Sequence, residues 1–217
     1  MTTTDAPRPI GAWVPARVGT VDSPPPDPAL VSALRGVPGL SSAFSDELDR
    51  LGIRTAVAAS VAPPLRGEDV AIGRAVTLRY LPTRVLEAGN GRLAHLTLFE
   101  AIGPGDVAVI AAPAGIDASV LGGRAAAAGL RAGLGGLVAF GAVRDIDEIL
   151  ATGLAVWATR RTAVTGRGRI EAAEINGPLE AGGVQVVPGD VVVADGSGIV
   201  FVPAEAFEDV ARAVIAG

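Results

Sequence analysis

The sequence predicts a single α/β domain with a central parallel or mixed sheet, flanked by helices and completed by C-terminal hairpin strands. A chain of 217 residues, 49% of them hydrophobic, has the usual length of one domain with a large core. Short apolar runs alternate with helical patterns through its middle, as in right-handed crossovers between parallel strands. Near the end, apolar runs are separated by turn-forming residues, which predicts hairpins.

The N-terminal part is predicted to differ from the rest. Residues 1–28 form an extended arm, because this segment is rich in proline and includes the run Pro24–Pro26. The arm either lacks fixed structure or wraps over a neighbouring subunit, and the sequence leaves both open. Residues 29–217 form the α/β domain.

The first elements of the domain follow from hydrophobic spacing. From Ser41 to Leu51, apolar residues recur three and four apart, which predicts a helix that Gly52 ends. The apolar run Val70–Leu81 predicts a strand. Leu93–Ile102 has helical spacing and is followed by Gly-Pro, which predicts a second helix.

The middle of the chain is the most regular. Val107–Ala112 is fully apolar and predicts a strand buried on both faces. After a loop, an Ala-rich helix is predicted to end near Ala132. Leu137–Phe140 and Leu154–Trp157 predict two further buried strands, with a short helix over Asp145–Thr152 between them.

The last third predicts antiparallel strands and a closing helix. Val184–Val187, Val191–Ala194 and Ile199–Val202 are apolar runs separated by Pro-Gly-Asp and Asp-Gly-Ser-Gly. A final helix is predicted from Ala204 to Ile215.

Missing residue types restrict the chemistry. All 18 basic residues are arginines, cysteine is absent and His95 is the only histidine. Without lysine there is no Schiff base, and without cysteine there is no thiolate nucleophile or Cys-ligated zinc. One histidine excludes any site that needs two from one subunit. Catalysis would therefore depend on carboxylates, arginines, hydroxyls, backbone amides or a bound metal.

The net charge and the hydropathy of the chain argue against nucleic-acid and membrane partners. A formal charge of −5 argues against a nucleic-acid partner, because phosphate contacts need a basic face. The arginines of the segment 160–169 are interpreted as a solvated loop. No uncharged run approaches the roughly 18 residues of a membrane span. With no signal-like N-terminus, we expect a cytoplasmic protein with no membrane partner.

Two loops qualify as a ligand site, since ligands of open α/β sheets bind beyond the carboxyl ends of the parallel strands. The loop Pro113–Gly123 leads into a helix, whose free amides and dipole favour an anion. The loop Gly141–Asp145 places a guanidinium beside a carboxylate. Arg144 suits a carboxylate or a developing enolate oxygen, and Asp145 suits a hard cation such as Mg²⁺. Together they indicate a site for a small keto acid.

Each residue also has a structural interpretation. Asp145 followed three residues later by Glu148 is a fair N-terminal capping arrangement, and taken alone that is the commoner role. Arg144 alone is more often part of a surface ion pair. His95 lies within an apolar helical pattern and is interpreted as structural.

The order of several motifs resembles the RraA-like family, which includes regulators of ribonuclease E and metal-dependent 4-hydroxy-4-methyl-2-oxoglutarate aldolases, some of which also decarboxylate oxaloacetate. The central match is Gly-Ala-Val-Arg-Asp at 141–145, after a buried strand. The resemblance covers roughly residues 40–215. Its other motifs lie, in the family's order, at 45–52, 104–107, 176–178, 182–184, 188–195 and 198–203.

The resemblance implies a trimer, often paired into a hexamer, with active sites between subunits. It gives Arg144 the role of contacting the substrate and Asp145 that of holding Mg²⁺ or Mn²⁺, partly through water. Regulators commonly lack this aspartate, so its presence favours an enzyme. The resemblance also implies that a loop supplies amides to the substrate carboxylate, here Gly115, Ser119, Val120, Leu121, Gly122 and Gly123.

The sequence departs from the family where a catalytic acid is common. That position, with 20 residues between it and Arg144, is Gly123. Some family members with glycine there carry acids just after the Arg-Asp pair, so Asp147 and Glu148 are the candidate catalytic acids. Asp117, a metal-bound water or a neighbouring subunit are the alternative sources of the base. Altered loop residues imply a more apolar, differently charged pocket.

The expected function is therefore a metal-dependent carbon–carbon lyase acting on a small keto acid through an enolate that the metal and Arg144 stabilise. The sequence favours aldol cleavage to pyruvate only slightly over decarboxylation of oxaloacetate. The alternatives are a regulatory protein without catalysis and a biosynthetic enzyme with another substrate.

Overall fold

The computed structural model describes residues 17–84 and 95–217. The predictions for residues 1–16, and for the first two residues of the helix expected over 93–102, lie outside the described residues.

Helices and strands alternate along the described chain. The first half contains β1 (Arg17–Val18), α1 (Pro28–Leu34), α2 (Leu40–Arg50), β2 (Ala56–Ala58), β3 (Ala71–Pro82), α3 (His95–Glu100), β4 (Val107–Ala111), β5 (Ser119–Leu121) and α4 (Gly123–Ala132). The second half contains β6 (Gly136–Val143), α5 (Ile146–Thr152), β7 (Val156–Arg161), β8 (Ile170–Ile175), β9 (Leu179–Ala181), β10 (Val184–Val186), β11 (Val191–Ala194), β12 (Gly198–Val202) and α6 (Phe207–Ala216).

Ten of these strands form one mixed sheet, which confirms the predicted fold class. Its main path runs β2-β12-β11-β3-β4-β6-β5, with β7 also on β6, β8 on β3 and β1 on β8. The central pairs β3–β4, β4–β6 and β6–β7 are parallel. The pairs β3–β11, β11–β12 and β12–β2 are antiparallel. Strands β9 and β10 form a separate hairpin.

Three buried clusters hold the layers together. One lies between the sheet and helices α3, α4 and α5, and includes the fully buried Leu137 and Ile149. A second lies on the opposite face, where Trp157 and Phe201 pack with the β9–β10 hairpin. In the third, helices α1, α2 and α6 cover β11 and β12, with Phe44 stacked 6.0 Å from Phe207. Burial of these apolar faces fixes helices α4 and α5 on the central strands.

The described part of the N-terminal segment differs from a free arm. Strand β1 pairs in parallel with β8 of its own chain, and the Arg74 guanidinium donates 2.8 Å to the carbonyl of Ser23. The arm also ends one residue early, because helix α1 begins at Pro28. Asp27 accepts a hydrogen bond from the amide of Ala29, and proline suits the first turn of a helix.

Several strands differ from the sequence expectation. Strand β10 pairs with β9 and not with β11, so the three apolar runs do not form one meander. Strands β5, β8 and β9 were not predicted, because they are short or carry glutamates among their apolar residues. Within the described ranges, no helix has both the length and the apolarity to cross a bilayer.

Candidate active site

A cleft of about 360 Å³ opens where strands β5 and β6 end and helices α4 and α5 begin. This is the carboxyl edge of the parallel strands, where the topology of α/β sheets places ligands. Both loops singled out in the sequence contribute to it. The lining residues are Gly122, Arg124, Ala125, Arg144, Asp145, Glu148, Thr165 and Arg167.

Arg144 and Asp145 lie side by side at the end of β6. The amide of Arg144 donates a hydrogen bond of 3.0 Å to the carbonyl of Leu121, which joins the end of β6 to β5. The Arg144 Nε lies 3.4 Å from the Asp145 Oδ2, and the two side chains are 39% and 38% exposed. An ion pair so open to solvent contributes little to stability. Both groups therefore remain accessible to a ligand.

The backbone of Asp145 is in the left-handed region, with φ 55° and ψ 48°. That conformation is uncommon for a residue with a side chain, and such residues cluster at functional sites. Asp145 occupies the N-cap position of α5, but its carboxylate makes no capping hydrogen bond. The capping interpretation of this side chain is therefore wrong, because the carboxylate turns towards Gly122 and Arg144.

Two glycines make room for two carboxylates. A Cβ added to Gly122 would lie 2.7 Å from the Asp145 Oδ2. A Cβ added to Gly123 would collide with the Cβ and the Oε2 of Glu148. The Glu148 side chain thus occupies the space into which a side chain at position 123 would project. An acid from α5 therefore lies where a side chain at position 123 would begin.

The amino end of α4 faces the same cleft. Gly122 is its N-cap and supplies no side-chain cap, and the first turn holds no acidic residue. The carbonyl of Gly122 accepts hydrogen bonds from the amides of Ala125 and Ala126, both at 3.0 Å. The preceding amides have no partner within the helix, so this end favours an anion.

Two more arginines enter the cleft. Arg124 lies in the first turn of α4, and Arg167 lies on the loop that follows β7. Their side chains are exposed, and the part of the chain that the structure describes offers neither an ion-pair partner. With Arg144 they give three guanidiniums against two carboxylates. The expected apolar pocket is therefore wrong: the cleft is strongly polar and carries a positive excess.

The loop that carries Arg167 is fixed to β5. The amide of Ser119 donates 3.0 Å to the carbonyl of Val164, and the Arg169 guanidinium donates 3.1 Å to the carbonyl of Thr165. A Cβ at Gly166 would collide with the carbonyl of Ser119. The interpretation of segment 160–169 as a solvated loop is wrong for Arg160 and Arg161, which end strand β7. Arg167 is exposed on the loop, as expected, and also lines the cleft. The high arginine content of this segment was the sequence feature that could have indicated a role. The segment lies at the cleft because it pairs with β5.

Several other candidates lie outside the cleft lining. Ser119, Val120 and Leu121 form β5, with side chains buried in the core, and Gly115 lies in the turn before it. Asp147 is exposed on α5, one residue before Glu148. The structure thus brings Gly122 and Glu148 to Arg144 and Asp145. His95 begins α3, and its side chain is not among the parts described.

The donor set suits a hard cation that keeps most of its water. Across residues 17–84 and 95–217, no group of three His, Asp or Glu side chains could form a protein cage for a metal. Mg²⁺ is usually held by one or two carboxylates, together with waters and substrate oxygens. The single carboxylate of Asp145, open to water in the cleft, fits that pattern.

The chain matches one family model and is similar in sequence to several known proteins. A model of the RraA-like family, described as Aldolase/RraA, matches residues 41–201. Protein DlpA of Legionella pneumophila is 31% identical over 81% of this chain, although the match spans only 28% of that protein. A Halalkalibacterium halodurans protein, provisionally named 4-hydroxy-4-methyl-2-oxoglutarate aldolase, is 29% identical over 80% of this chain and 76% of its own.

A solved structure has the same fold. Streptomyces coelicolor RraAS2 superposes with a TM-score of 0.75 at 29% identity, covering 88% of this chain and 92% of its own. It is described as an unusual member of the RNase ES inhibitor RraA protein family.

Proposed function

The chain belongs to the RraA-like family, and from that premise we propose that it is a lyase that cleaves a carbon–carbon bond in a small 2-oxo acid. One observation carries the proposal. The carboxylates of Asp145 and Glu148 lie against the two glycines at the start of α4, beside the open guanidinium of Arg144. The name of the Halalkalibacterium relative supports aldolase chemistry.

The carboxylate of the 2-oxo acid binds at the amino end of α4. The amides of Gly123 and Arg124 are the first of that helix, and the helix dipole adds a partial positive charge. Arg144 donates to the carboxylate or to the keto oxygen next to it, because a guanidinium makes strong charge-assisted hydrogen bonds to oxyanions. The alternative is that Arg144 and Asp145 form a purely structural ion pair, and the exposure of both side chains disfavours it.

Asp145 is the residue that would hold Mg²⁺ or Mn²⁺, with waters and substrate oxygens as the other ligands. The cation would supply Lewis-acid stabilisation of negative charge on the keto oxygen. The left-handed backbone of Asp145 turns its carboxylate away from the α5 amides and into the cleft.

Aldol cleavage needs a base as well as an electron sink. Glu148 takes the proton from the hydroxyl at C4, the C3–C4 bond breaks, and its electron pair forms the enolate of pyruvate. Arg144 stabilises the negative charge on the enolate oxygen. Glu148 then returns the proton to C3, which gives pyruvate, and the other fragment leaves as a carbonyl compound. Asp147 remains a possible base in the sequence, but its place outside the cleft favours Glu148.

Decarboxylation of oxaloacetate uses the same electron sink without the base. There the carboxylate at C4 leaves as CO₂, the electron pair again forms the enolate, and a proton from water at C3 gives pyruvate. Replacing Glu148 by alanine therefore separates the two reactions: aldol cleavage falls, whereas decarboxylation is spared.

A second candidate function is regulation by protein binding, which the similarity to RraAS2 favours. Such a protein would need the fold but neither a cation nor turnover. The predicted homotrimer or hexamer is compatible with both functions, and sedimentation velocity would measure it.

Pyruvate release tests the lyase proposal. It is measured from 4-hydroxy-4-methyl-2-oxoglutarate and from oxaloacetate, with Mg²⁺ and with EDTA, for the wild type and for Asp145→Ala. We expect activity that needs the cation and falls at least a hundredfold in the variant. Glu208→Ala, which removes an exposed acid of α6, is the matched control and should leave the rate unchanged. Activity that survives both EDTA and Asp145→Ala would contradict the proposal, and no activity with Mg²⁺ would favour the regulator.

A further inference from the structure

The two guanidiniums of Arg124 and Arg167 have no role in the bond cleavage described above. Both line the cleft, and neither has an ion-pair partner in residues 17–84 or 95–217. In a chain whose net charge is −5, two unpaired arginines at one cleft are a local reversal of the overall charge. Such a reversal attracts an anion, in addition to the one held at the amino end of α4.

The two arginines approach from different elements, and both elements are anchored. Arg124 is the second residue of α4, next to Gly123 and the Glu148 carboxylate. Arg167 lies on the segment that the Ser119 amide and the close approach of Gly166 fix to β5. The fixed backbones hold the two arginines at the same cleft, within whose lining both side chains lie. Thr165, on the same segment, adds a hydroxyl to this side of the cleft.

We propose that Arg124 and Arg167 form a second anion subsite, which binds a carboxylate at the far end of the 2-oxo acid. This inference rests on the proposed function, since it takes the group beside Arg144 to be a 2-oxo acid. The subsite makes the ligand a diacid, with one carboxylate at the start of α4 and the other between the two arginines. Guanidinium pairs are well suited to the planar geometry of a carboxylate.

The subsite also discriminates between the two reactions. A carboxylate that leaves as CO₂ must lose its charge, and two guanidiniums that hold it stabilise the charged ground state. In aldol cleavage of a hydroxy-2-oxo diacid, the far carboxylate keeps its charge on the departing fragment. The arginines therefore favour aldol cleavage over decarboxylation of the carboxylate that they hold.

Binding of two unreactive ligands tests the subsite. The probes are 2-oxoglutarate and 5-methyl-2-oxohexanoate, in which two methyl groups replace the far carboxylate oxygens. Neither has the C4 hydroxyl or the C4 carboxylate that the proposed reactions need. Dissociation constants are measured by calorimetry with Mg²⁺ for the wild type, Arg124→Gln, Arg167→Gln and the double variant. Arg131→Gln, at the other end of α4, is the matched control for a simple change in net charge.

We expect the wild type to bind 2-oxoglutarate at least tenfold more tightly than the isostere that lacks the far carboxylate. Each single variant should weaken diacid binding at least threefold, and the double variant should lose the preference while binding the isostere as before. A wild type without preference, a double variant that keeps it, or an equal loss in Arg131→Gln would overturn the subsite. Pyruvate release without charge preference refutes the subsite alone; charge preference without pyruvate release refutes the lyase alone.

Discussion

The overlap between position 123 and the Glu148 side chain suggests moving the carboxylate from one position to the other. A side chain at position 123 and the side chain of Glu148 compete for one volume, because a Cβ at Gly123 meets both the Cβ and the Oε2 of Glu148. Removing Glu148 empties that volume. Gly123→Asp in the Glu148→Ala background should then return a carboxylate to the same side of the cleft.

The expected magnitudes follow from the role of the base. Loss of a general base typically costs about 10²–10⁴-fold in rate, so Glu148→Ala should lower aldol cleavage by that amount. The relocated carboxylate should recover at least tenfold of the loss. Gly123→Asp alone should be worse than wild type, because the two side chains then overlap, and overpacking costs about 1–3 kcal/mol.

The assay is pyruvate release from 4-hydroxy-4-methyl-2-oxoglutarate, followed for the four members of this double-mutant cycle. Oxaloacetate decarboxylation by the same proteins serves as the control, since it needs no base. If Gly123→Asp has the same effect with and without Glu148, positions 123 and 148 do not share one role. If Asp147→Ala abolishes cleavage while Glu148→Ala does not, the base is Asp147 and the spatial argument fails.

Three further predictions concern stability, each measured by urea unfolding. Asp106 is 1% exposed and accepts hydrogen bonds from Arg74 Nε and Nη2 at 3.0 and 2.9 Å. Asp106→Ala should cost about 3–5 kcal/mol, because it leaves a largely buried guanidinium without its carboxylate and with only the Ser23 carbonyl as acceptor; a cost below about 1 kcal/mol would contradict this. Burial raises the pKa of Asp195, but hydrogen bonds from the hydroxyl and amide of Ser41 outweigh it and hold that pKa below the usual 3.8. The advantage of wild type over Asp195→Asn should therefore be complete above about pH 4 and shrink as the pH falls further, and a constant advantage down to pH 2 would refute it. Burial raises the pKa of Asp190 from 3.8 to about 6, so the folded state binds its proton more tightly than the unfolded state. The free energy of unfolding of the wild type, relative to Asp190→Asn, should fall as the pH rises from about 4 to about 6. A difference that stays unchanged over that range would contradict the raised pKa.

The central strands and the site loop could be predicted from the sequence because local signals agree there. Short, fully apolar runs such as Val107–Ala111 favour buried strands, and the residues that follow a parallel strand lie at the carboxyl edge of the sheet. That reasoning led to the loop whose Arg144 and Asp145 line the cleft in the structure.

What could not be predicted depends on contacts between distant segments. Arg167 reaches the cleft only because its loop pairs with β5, and a three-residue strand has no periodicity to detect. The same holds for Glu148, whose overlap with position 123 arises from the packing of α5 against α4. The cap role of Asp145 failed for a local reason: its left-handed backbone turns the carboxylate away from the helix.

The most direct test of the account is proton exchange at the methyl group of pyruvate. By microscopic reversibility, a site that stabilises the enolate of pyruvate also removes a methyl proton from it. Pyruvate is incubated with the protein in D₂O with Mg²⁺, and the methyl signal is followed by proton NMR. The account predicts a loss of signal well above the protein-free rate, abolished by EDTA and by Asp145→Ala, while Glu208→Ala exchanges like wild type. Exchange no faster than without protein, or exchange that persists in Asp145→Ala with EDTA, would contradict a metal-assisted lyase at this cleft.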